Sequence, residues 1–583
     1  MQDNEQKQGT SGARKGYKVF SINTTIRNPK RNTEFLEVFK RFDGCVMDDL
    51  NLYNYLFALV QKGIYKFSKI PTSVKEKLEA NVPLDIQEVK EAIKENPQAT
   101  GLSGRVMTQL RALKDQGFLI FEESDISKKH KISITKLGND LIENKVEASI
   151  VYTKAMIGMH ANSPVRKSLH NESVPFLNTL FVVDEVNRRW KELGNEAKGI
   201  LMHEFSAFVL SMKDCNYHVI ADEIIAYRKK FKTNYNYPYL RQYLTNNGIL
   251  PLAEDSLLTY GDEVFRKFEM TGLLVKHGKF SHIYITFSNY NVEKVNSILF
   301  AYKDYHFIKF ENQKSYYDYL DGIILPWESN EHIRRQIVNT KADVLGIKLE
   351  ETMSLEQQEE MLDRIFYSQA LAKAVDNTEL KFINKELLIL GNRCNEKSKL
   401  EDISESLRLE YLLALLLGKI YGVSGLVSNI IYDENGTPLH HAPSNKADII
   451  YHSVDGSYIL EPTMQCGRDQ QLNSETTNIV RHMLNEKTKN GIEYRVAMVA
   501  PKVHEDVVDY FGYSASRNEV KITALTIACI TDLINKSSTI LSLNSNFDLI
   551  VDELKVITFK QFADNMNAYI LSDSLKELST GGR

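Results

Sequence analysis

Between Asn445 and His482 the chain gathers residue types suited to metal-assisted hydrolysis. Asp448 and Glu461 lie in two apolar-rich runs, ADIIYHSV and SYILEPTM, joined through Asp455-Gly456. Asp-Gly between such runs signals a β-hairpin closed by a tight type I′ turn. With Asp455 and Gly456 as the turn residues, Val454 pairs with Ser457, Ile450 with Glu461 and Asp448 with Thr463. Side chains alternate along a strand, so Asp448, Ile450, Glu461 and Thr463 share a face and the two acids are diagonal neighbours. Two carboxylates so placed suit Mg²⁺, which keeps several waters and is held by one or two carboxylates plus substrate phosphates. The same spacing also fits two acids on a solvent-facing hairpin.

Two helices must flank this hairpin. Downstream, SETTNIVRHMLNEK reads as a helix capped by Asn473 or Ser474. Glu475 and His482 are two turns apart on it and project from one face. Upstream, LRLEYLLALLLGKIYG is strongly apolar, with Glu405 and Arg408 on its polar edge. Glu410 falls about 200° from Arg408, beside Leu407 and Leu413. An acid on an apolar face is costly unless partnered or ligating; a rim glutamate reaching to solvent fits the pattern equally.

Taken together, Glu410, Asp448, Glu461, Glu475 and His482 in this order, then RVAMVAPKVHEDVVDYF, resemble the cleavage domain of the AlwI group of Type IIS restriction endonucleases. FSINTTIRNPKR, from Phe20 to Arg31, resembles that family's N-terminal signature, so the likeness spans nearly the whole chain. It implies a C-terminal PD-(D/E)xK-type αβββαβ nuclease domain with those five residues as the catalytic set. Asp448 and Glu461 would hold Mg²⁺, with Glu410 helping. Double-stranded DNA is the implied substrate. A homodimer or second subunit would be needed to cut both strands, and a cognate DNA methyltransferase would protect the host. Two positions depart from the usual nuclease motif: Ala447 stands for its proline and Thr463 for its lysine. The AlwI-type enzymes resemble this chain in lacking that lysine, and His482 is the candidate to orient or deprotonate the attacking water.

Composition sets the outer limits. A chain of 583 residues should form two to four domains, and 43% hydrophobic with 25% charged residues is ordinary for a soluble globular protein. The longest apolar run falls short of a membrane span, and the polar start lacks a secretory h-region. Five scattered cysteines show no C-x-x-C pair, which argues against zinc and disulfides and for the cytoplasm. A net charge of −4 does not announce a nucleic-acid binder, though local basic faces can hide in such a sum.

The expected architecture is α+β and multidomain. Residues 1–18 form a disordered lead. A first recognition module, 19–150, opens on Thr25, Arg27, Asn28, Lys30 and Arg31, able to contact phosphates or base edges; alternatively this stretch leads into the helix TEFLEVFKRF, capped by Asn32 or Thr33. DIQEVKEAIKEN, SGRVMTQLRALKDQG, FLIFEE and HKISIT follow in winged-helix order. Val106, Leu110 and Leu113 would be its buried stripe, and Arg105, Thr108, Gln109 and Ala112 its outer, DNA-facing side. A second winged-helix-like module, 151–289, offers Arg228, Lys229 and Lys230, with Lys276 and Lys279 at a hairpin tip. Residues 290–398 read as a helical linker and 399–583 as the nuclease domain, with LVSNIIY as one strand and a helical tail. The function expected is Mg²⁺-dependent hydrolysis of DNA at a fixed distance from a short asymmetric site. A nicking enzyme of the same family is the near alternative. A junction resolvase, and a winged-helix regulator with a non-catalytic C-terminal domain, are the distant ones.

Overall fold

The structure is a computed structural model. It describes residues 17–555, apart from most of 66–101, the stretches 62–63, 124–129, 167–170, 279–281, 393–396, 442–445 and 469–470, and positions 24, 145, 251 and 351. The tip SDISKK and Lys279 lie outside the described residues, as does most of the expected helix DIQEVKEAIKEN, of which Gln87, Glu88 and Glu91 are described and helical.

Two apolar cores organise the chain. The first runs from Val19 to Ile337, the second from Ala370 to Val551. The N-terminal part begins with helix α1 (Asn32–Phe39) and strand β1 (Cys45–Val46), then helix α2 (Leu102–Asp115) and strands β2 (Leu119–Glu123) and β3 (His130–Ile134). The strands form an antiparallel sheet in the order β1-β3-β2. Val106, Leu110 and Leu113 are buried as their spacing predicts. Gln109 and Ala112 are buried as well, so the expected outer face of α2 is largely an inner one. The expected cap of α1 also differs. Arg31 occupies the cap position, and Asn32 lies inside the helix, donating to Gln116 Oε1 at 2.9 Å and Tyr152 Oη at 3.0 Å. Two buried polar partners outweigh a local cap, since an unpaired amide there would cost about 1–3 kcal/mol.

The next segment repeats the grammar with strand β4 (Ile200–Leu201), helices α3 (Tyr217–Phe231) and α4 (Glu254–Glu269), and strands β5 (Leu274–His277) and β6 (Tyr284–Phe287) in the sheet order β4-β6-β5. Helices then run as far as α5 (Leu355–Asn377) and α6 (Leu380–Asn392). The end of α5 and the length of α6 contribute to the second core, through Ala370, Leu371, Ala374, Ile383 and Leu387.

The second core surrounds helix α7 (Glu405–Tyr421), buried from Leu407 to Gly418. A helix apolar on nearly all sides must be enclosed. Arg408, expected on a polar edge, is therefore buried too. After α7 come β7 (Leu426–Ser428), the short hairpin β8 (Ile431–Tyr432) and β9 (Pro438–His440), then β10 (Ile449–Ser453) and β11 (Gly456–Pro462). LVSNIIY is thus two strands in different sheets. Helix α8 (Thr477–Asn490), strand β12 (Tyr494–Ala500), helix α9 (Glu505–Asn518), strand β13 (Lys521–Thr526) and helix α10 (Ile527–Lys536) complete the unit, with helix again at 540–555. The five-stranded sheet runs β13-β12-β11-β10-β7, with β11, β12 and β13 parallel. Val496 to Ala500 are all buried, as a parallel strand covered on both faces requires. The sequence reading had no counterpart to β13. None of the four described cysteines is in a disulfide, and among the described residues no helix is long and apolar enough to cross a membrane.

Arg228 is held inside the protein, donating from Nη2 to Glu204 at 2.6 Å and from Nε at 2.8 Å. Truncating one partner strands a buried charge. Arg228→Met should cost about 3–5 kcal/mol in denaturant unfolding, whereas the double variant Arg228→Met/Glu204→Met should recover much of that loss. Next to it, His203 packs between Tyr227 and Tyr235 with Nε2 buried and unpartnered. Burial pushes its pKa down to about 4. As pH falls below about 6.5 the unfolded chain takes up this proton and the folded one does not. Relative to a His203→Phe variant, the native protein should therefore lose about 1.4 kcal/mol of stability per pH unit between roughly pH 6 and 4, read from unfolding curves of the two proteins.

Candidate active site

The β10–β11 hairpin is where the acids meet. Its register pairs Ser453 with Gly456 and Ile449 with Leu460, so Val454 and Asp455 form the turn. Neither has positive φ, which excludes the expected type I′ turn. Gly456 serves a different purpose: a Cβ there would meet the Asn544 side chain at 2.8 Å, and Asn544 Nδ2 donates to Asp455 O at 2.7 Å. Continuing the ladder by one residue sets Asp448 directly opposite Glu461, not diagonal to it. Facing was preserved because the change in pairing spans two residues, and a strand's faces alternate with that period.

Asp448 and Glu461 share a hydrogen bond between their side chains. Burial first, then the charges of Glu410, Glu461 and Glu475, hold the Asp448 carboxyl well above the usual carboxylate range. Glu461 is raised by burial as well, although His482 opposes the shift. His482 Nδ1 lies 3.0 Å from Glu461 Oε1. Glu475 stands on a π-helical turn, Gln471–Thr476, that leads into α8, so neither Asn473 nor Ser474 is a cap. It accepts from Thr463 Oγ1 at 3.4 Å, and burial together with Glu461 pushes it up to about 7. Glu410 is buried on α7 with Oε2 unpartnered. Its Oε1 lies 2.6 Å from His441 Nδ1. Burial is the largest influence on the His441 ring and favours its neutral form, but Glu410, Glu34 and Glu37 together raise its pKa. Thus all five expected catalytic residues converge, and two acids of α1, Glu34 and Glu37, act on the same pocket.

Among the described residues no three His, Cys, Asp or Glu side chains form a ready-made metal cage. Mg²⁺ does not need one, since it keeps waters and takes phosphate oxygens as ligands. The residues fit such an ion. Carboxyl groups that raise one another's pKa, and a buried Glu410 oxygen without a partner, form an anionic pocket that a hard cation would relieve.

Several of the residues expected to touch DNA are engaged by partners within the protein. Thr25 is exposed, its hydroxyl donating to Asn23 Oδ1 at 2.8 Å. Arg27 is largely exposed but lies 2.8 Å from Glu263. Asn28 caps the 3₁₀ turn Pro29–Arg31, accepting from Lys30 N at 3.0 Å. The Lys30 ammonium donates to Pro438 O, and burial lowers its pKa although Glu269 and Asp433 oppose the shift. Arg31 spans Glu34 at 3.2 Å and Ile64 O at 2.6 Å. Arg105 lies on α2 with its side chain outside the described set, and Thr108 Oγ1 donates to Gly104 O at 2.6 Å. Arg228 is the buried partner of Glu204. Lys229 and Lys230 are exposed, Lys230 over the rings of Phe231 and Tyr239. Lys276 faces Asp262 at 3.3 Å.

Nothing in the sequence reading singled out His441 or Ser406. The available signal was the pair His440-His441 a few residues before Asp448. The inward turn of Arg228 also had a signal, because Ile220, Ile224 and Arg228 recur every fourth residue on one helix stripe.

Known proteins can be set beside this geometry. The small subunit of the heterodimeric restriction endonuclease R.BspD6I aligns with 33% of this chain and 98% of its own, at 18% identity and a TM-score of 0.26. The restriction endonuclease FokI bound to DNA aligns with 91% of this chain and 98% of its own, at 13% identity and a TM-score of 0.23. Scores this low carry no structural argument. No curated protein matches the chain. The profile of the AlwI restriction endonuclease family, however, matches residues 115–534, most of the sequence and all five converging residues. This chain belongs to the AlwI restriction endonuclease family.

Proposed function

We propose that the protein is a Type IIS restriction endonuclease. Its N-terminal modules bind a short asymmetric duplex site, and its C-terminal unit hydrolyses a phosphodiester at a fixed distance to one side. The observation that carries this reading is the convergence of Glu410, Asp448, Glu461, Glu475 and His482 in a buried acidic pocket. Asp448 and Glu461, with Glu410, would hold Mg²⁺. When bound there, the ion polarises a phosphate and lowers the pKa of an adjacent water. His482, set by Glu461, orients the attacking water or hands a proton to the leaving oxygen. Thr463 fixes Glu475 where a lysine would stand in the usual motif. A DNA-binding regulator would have no use for four acids gathered in one pocket.

One such pocket serves one strand. Cutting both strands needs a second copy of the chain or a partner subunit, and an isolated chain nicks. A host enzyme of this kind also calls for a DNA methyltransferase that modifies the same site.

Asp448→Asn and Glu461→Gln should each lower cleavage by roughly a thousandfold or more, about 4 kcal/mol of transition-state stabilisation. Gel shifts in Ca²⁺ should show that the variants still bind the target duplex. Cleavage by Asp448→Asn at the native rate would remove the metal assignment. Chelation of Mg²⁺ should abolish cutting by the native protein and leave binding intact. Sequencing the ends of plasmid digested in Mg²⁺ should reveal one recurrent sequence with breaks at a constant offset. Scattered ends would refute site-specific cleavage, and breaks on only one strand would identify a nicking enzyme.

A further inference from the structure

His441 stands outside the five residues the family resemblance supplies, yet it is in direct contact with one of them. Its Nδ1 lies 2.6 Å from Glu410 Oε1. A carboxylate only accepts hydrogen bonds, so Nδ1 carries the proton in that contact. The other ring nitrogen, Nε2, lies 3.4 Å from Ser406 Oγ, one turn before Glu410 on α7. The same hydroxyl lies 3.4 Å from Glu34 Oε1 on α1. Glu34 in turn takes Arg31 Nε at 3.2 Å. A line of contacts therefore runs Arg31–Glu34–Ser406–His441–Glu410, from the start of the recognition half into the acidic pocket.

His440 cannot take over this task. It is buried on β9, with Nε2 3.3 Å from Met270 O. His441 is half-exposed beyond the strand end, and Glu410 Oε2 is the buried oxygen left without a partner. A glutamate on a helix has several rotamers, and fixing one oxygen selects among them for the other.

We infer that His441 is a positioning residue of the cleavage site. It fixes Glu410 through Oε1, leaves Oε2 for the cation, and through Ser406 ties that carboxylate to Glu34 of the recognition half. This rests on the function proposed above. Groups that orient metal-binding side chains in this way typically govern affinity or activity by 10- to 100-fold.

The test compares the native protein with His441→Ala, His441→Asn, His441→Gln and Asp448→Asn. Asparagine places an amide N–H near the position of Nδ1, whereas glutamine places it nearer Nε2. Plasmid cleavage gives kcat and KM, calorimetry of the protein–DNA complex gives Ca²⁺ affinity, and thermal melting reports folding. His441→Ala should lower kcat and Ca²⁺ affinity by about 10- to 100-fold, with KM for DNA and the melting temperature little changed. His441→Asn should regain most of both losses and His441→Gln should not. Native kcat and Ca²⁺ affinity in His441→Ala would overturn the inference. Should His441→Ala not fold, equal rates and equal Ca²⁺ affinities for the Asn and Gln variants would overturn it. Undiminished cutting by Asp448→Asn would instead overturn the proposed function, so the two failures are told apart.

Discussion

Mutual repulsion among Glu410, Asp448, Glu461 and Glu475 is the constraint on which the catalytic unit depends. Two charges about 4 Å apart repel by about 4 kcal/mol at the effective dielectric of a protein near its surface. The fold resists this by three means: raised pKa values at Asp448 and Glu461, histidines on Glu410 and Glu461, and a hydroxyl on Glu475. None of these supplies a permanent positive charge. An apolar wall surrounds the pocket, made by α7, buried from Leu407 to Gly418, and by the fully buried end of β12. Little water is available there to screen the acids. Such a pocket is unfavourable as a purely structural device, and this cost is what supports the proposed cation.

The scaffold keeps this pocket beside the recognition half. Lys30 donates to Pro438 O and Arg266 to Asp402. His277 lies 3.0 Å from Glu434, and His440 3.3 Å from Met270 O. All but the Arg266–Asp402 pair gather around the β8–β9 hairpin. The joint is thus made of hydrogen bonds and ion pairs, while the two apolar cores stay separate. Several basic residues that sequence alone offers to DNA are employed in this joint or deeper inside. A basic residue near the N-terminal signature is in this protein as much a fastening between halves as a contact for phosphate.

Local periodicity made the catalytic strands and helices legible, and its limits mark what was not. The alternation of ADIIYHSV and SYILEPTM placed Asp448 and Glu461 on one face even though the turn was assigned one residue late, because the error changed the pairing by a full period. The two-turn spacing of Glu475 and His482 held although their helix begins with a π turn, since both still project toward Glu461. Asn32 and Lys30 were misjudged for a common reason. Each finds its surroundings in a segment distant along the chain: Asn32 at Gln116 and Tyr152, Lys30 at Pro438. Turn chemistry and charge runs carry no information about such partners. Strand β13 escaped because KITALT is short and mixed, and its burial comes from β12 and the helices packed over it.

Replacing the motif's lysine with Thr463 has a consequence for the whole pocket. A lysine at that strand position would set a fixed positive charge beside Glu461 and Glu475 and offset part of their repulsion at all times. Thr463 offers only a hydroxyl, spent on Glu475. The remaining partners, His441 and His482, each engage one oxygen of one acid. More of the negative charge is therefore left for a cation to neutralise than in a lysine-bearing pocket. On the proposed reading, this makes acidity of the site and dependence on Mg²⁺ two expressions of the same residue choice: the ion stabilises both the reacting phosphate and the arrangement of carboxylates that receives it. It also gives the histidines a defined part, since each holds one acid in place.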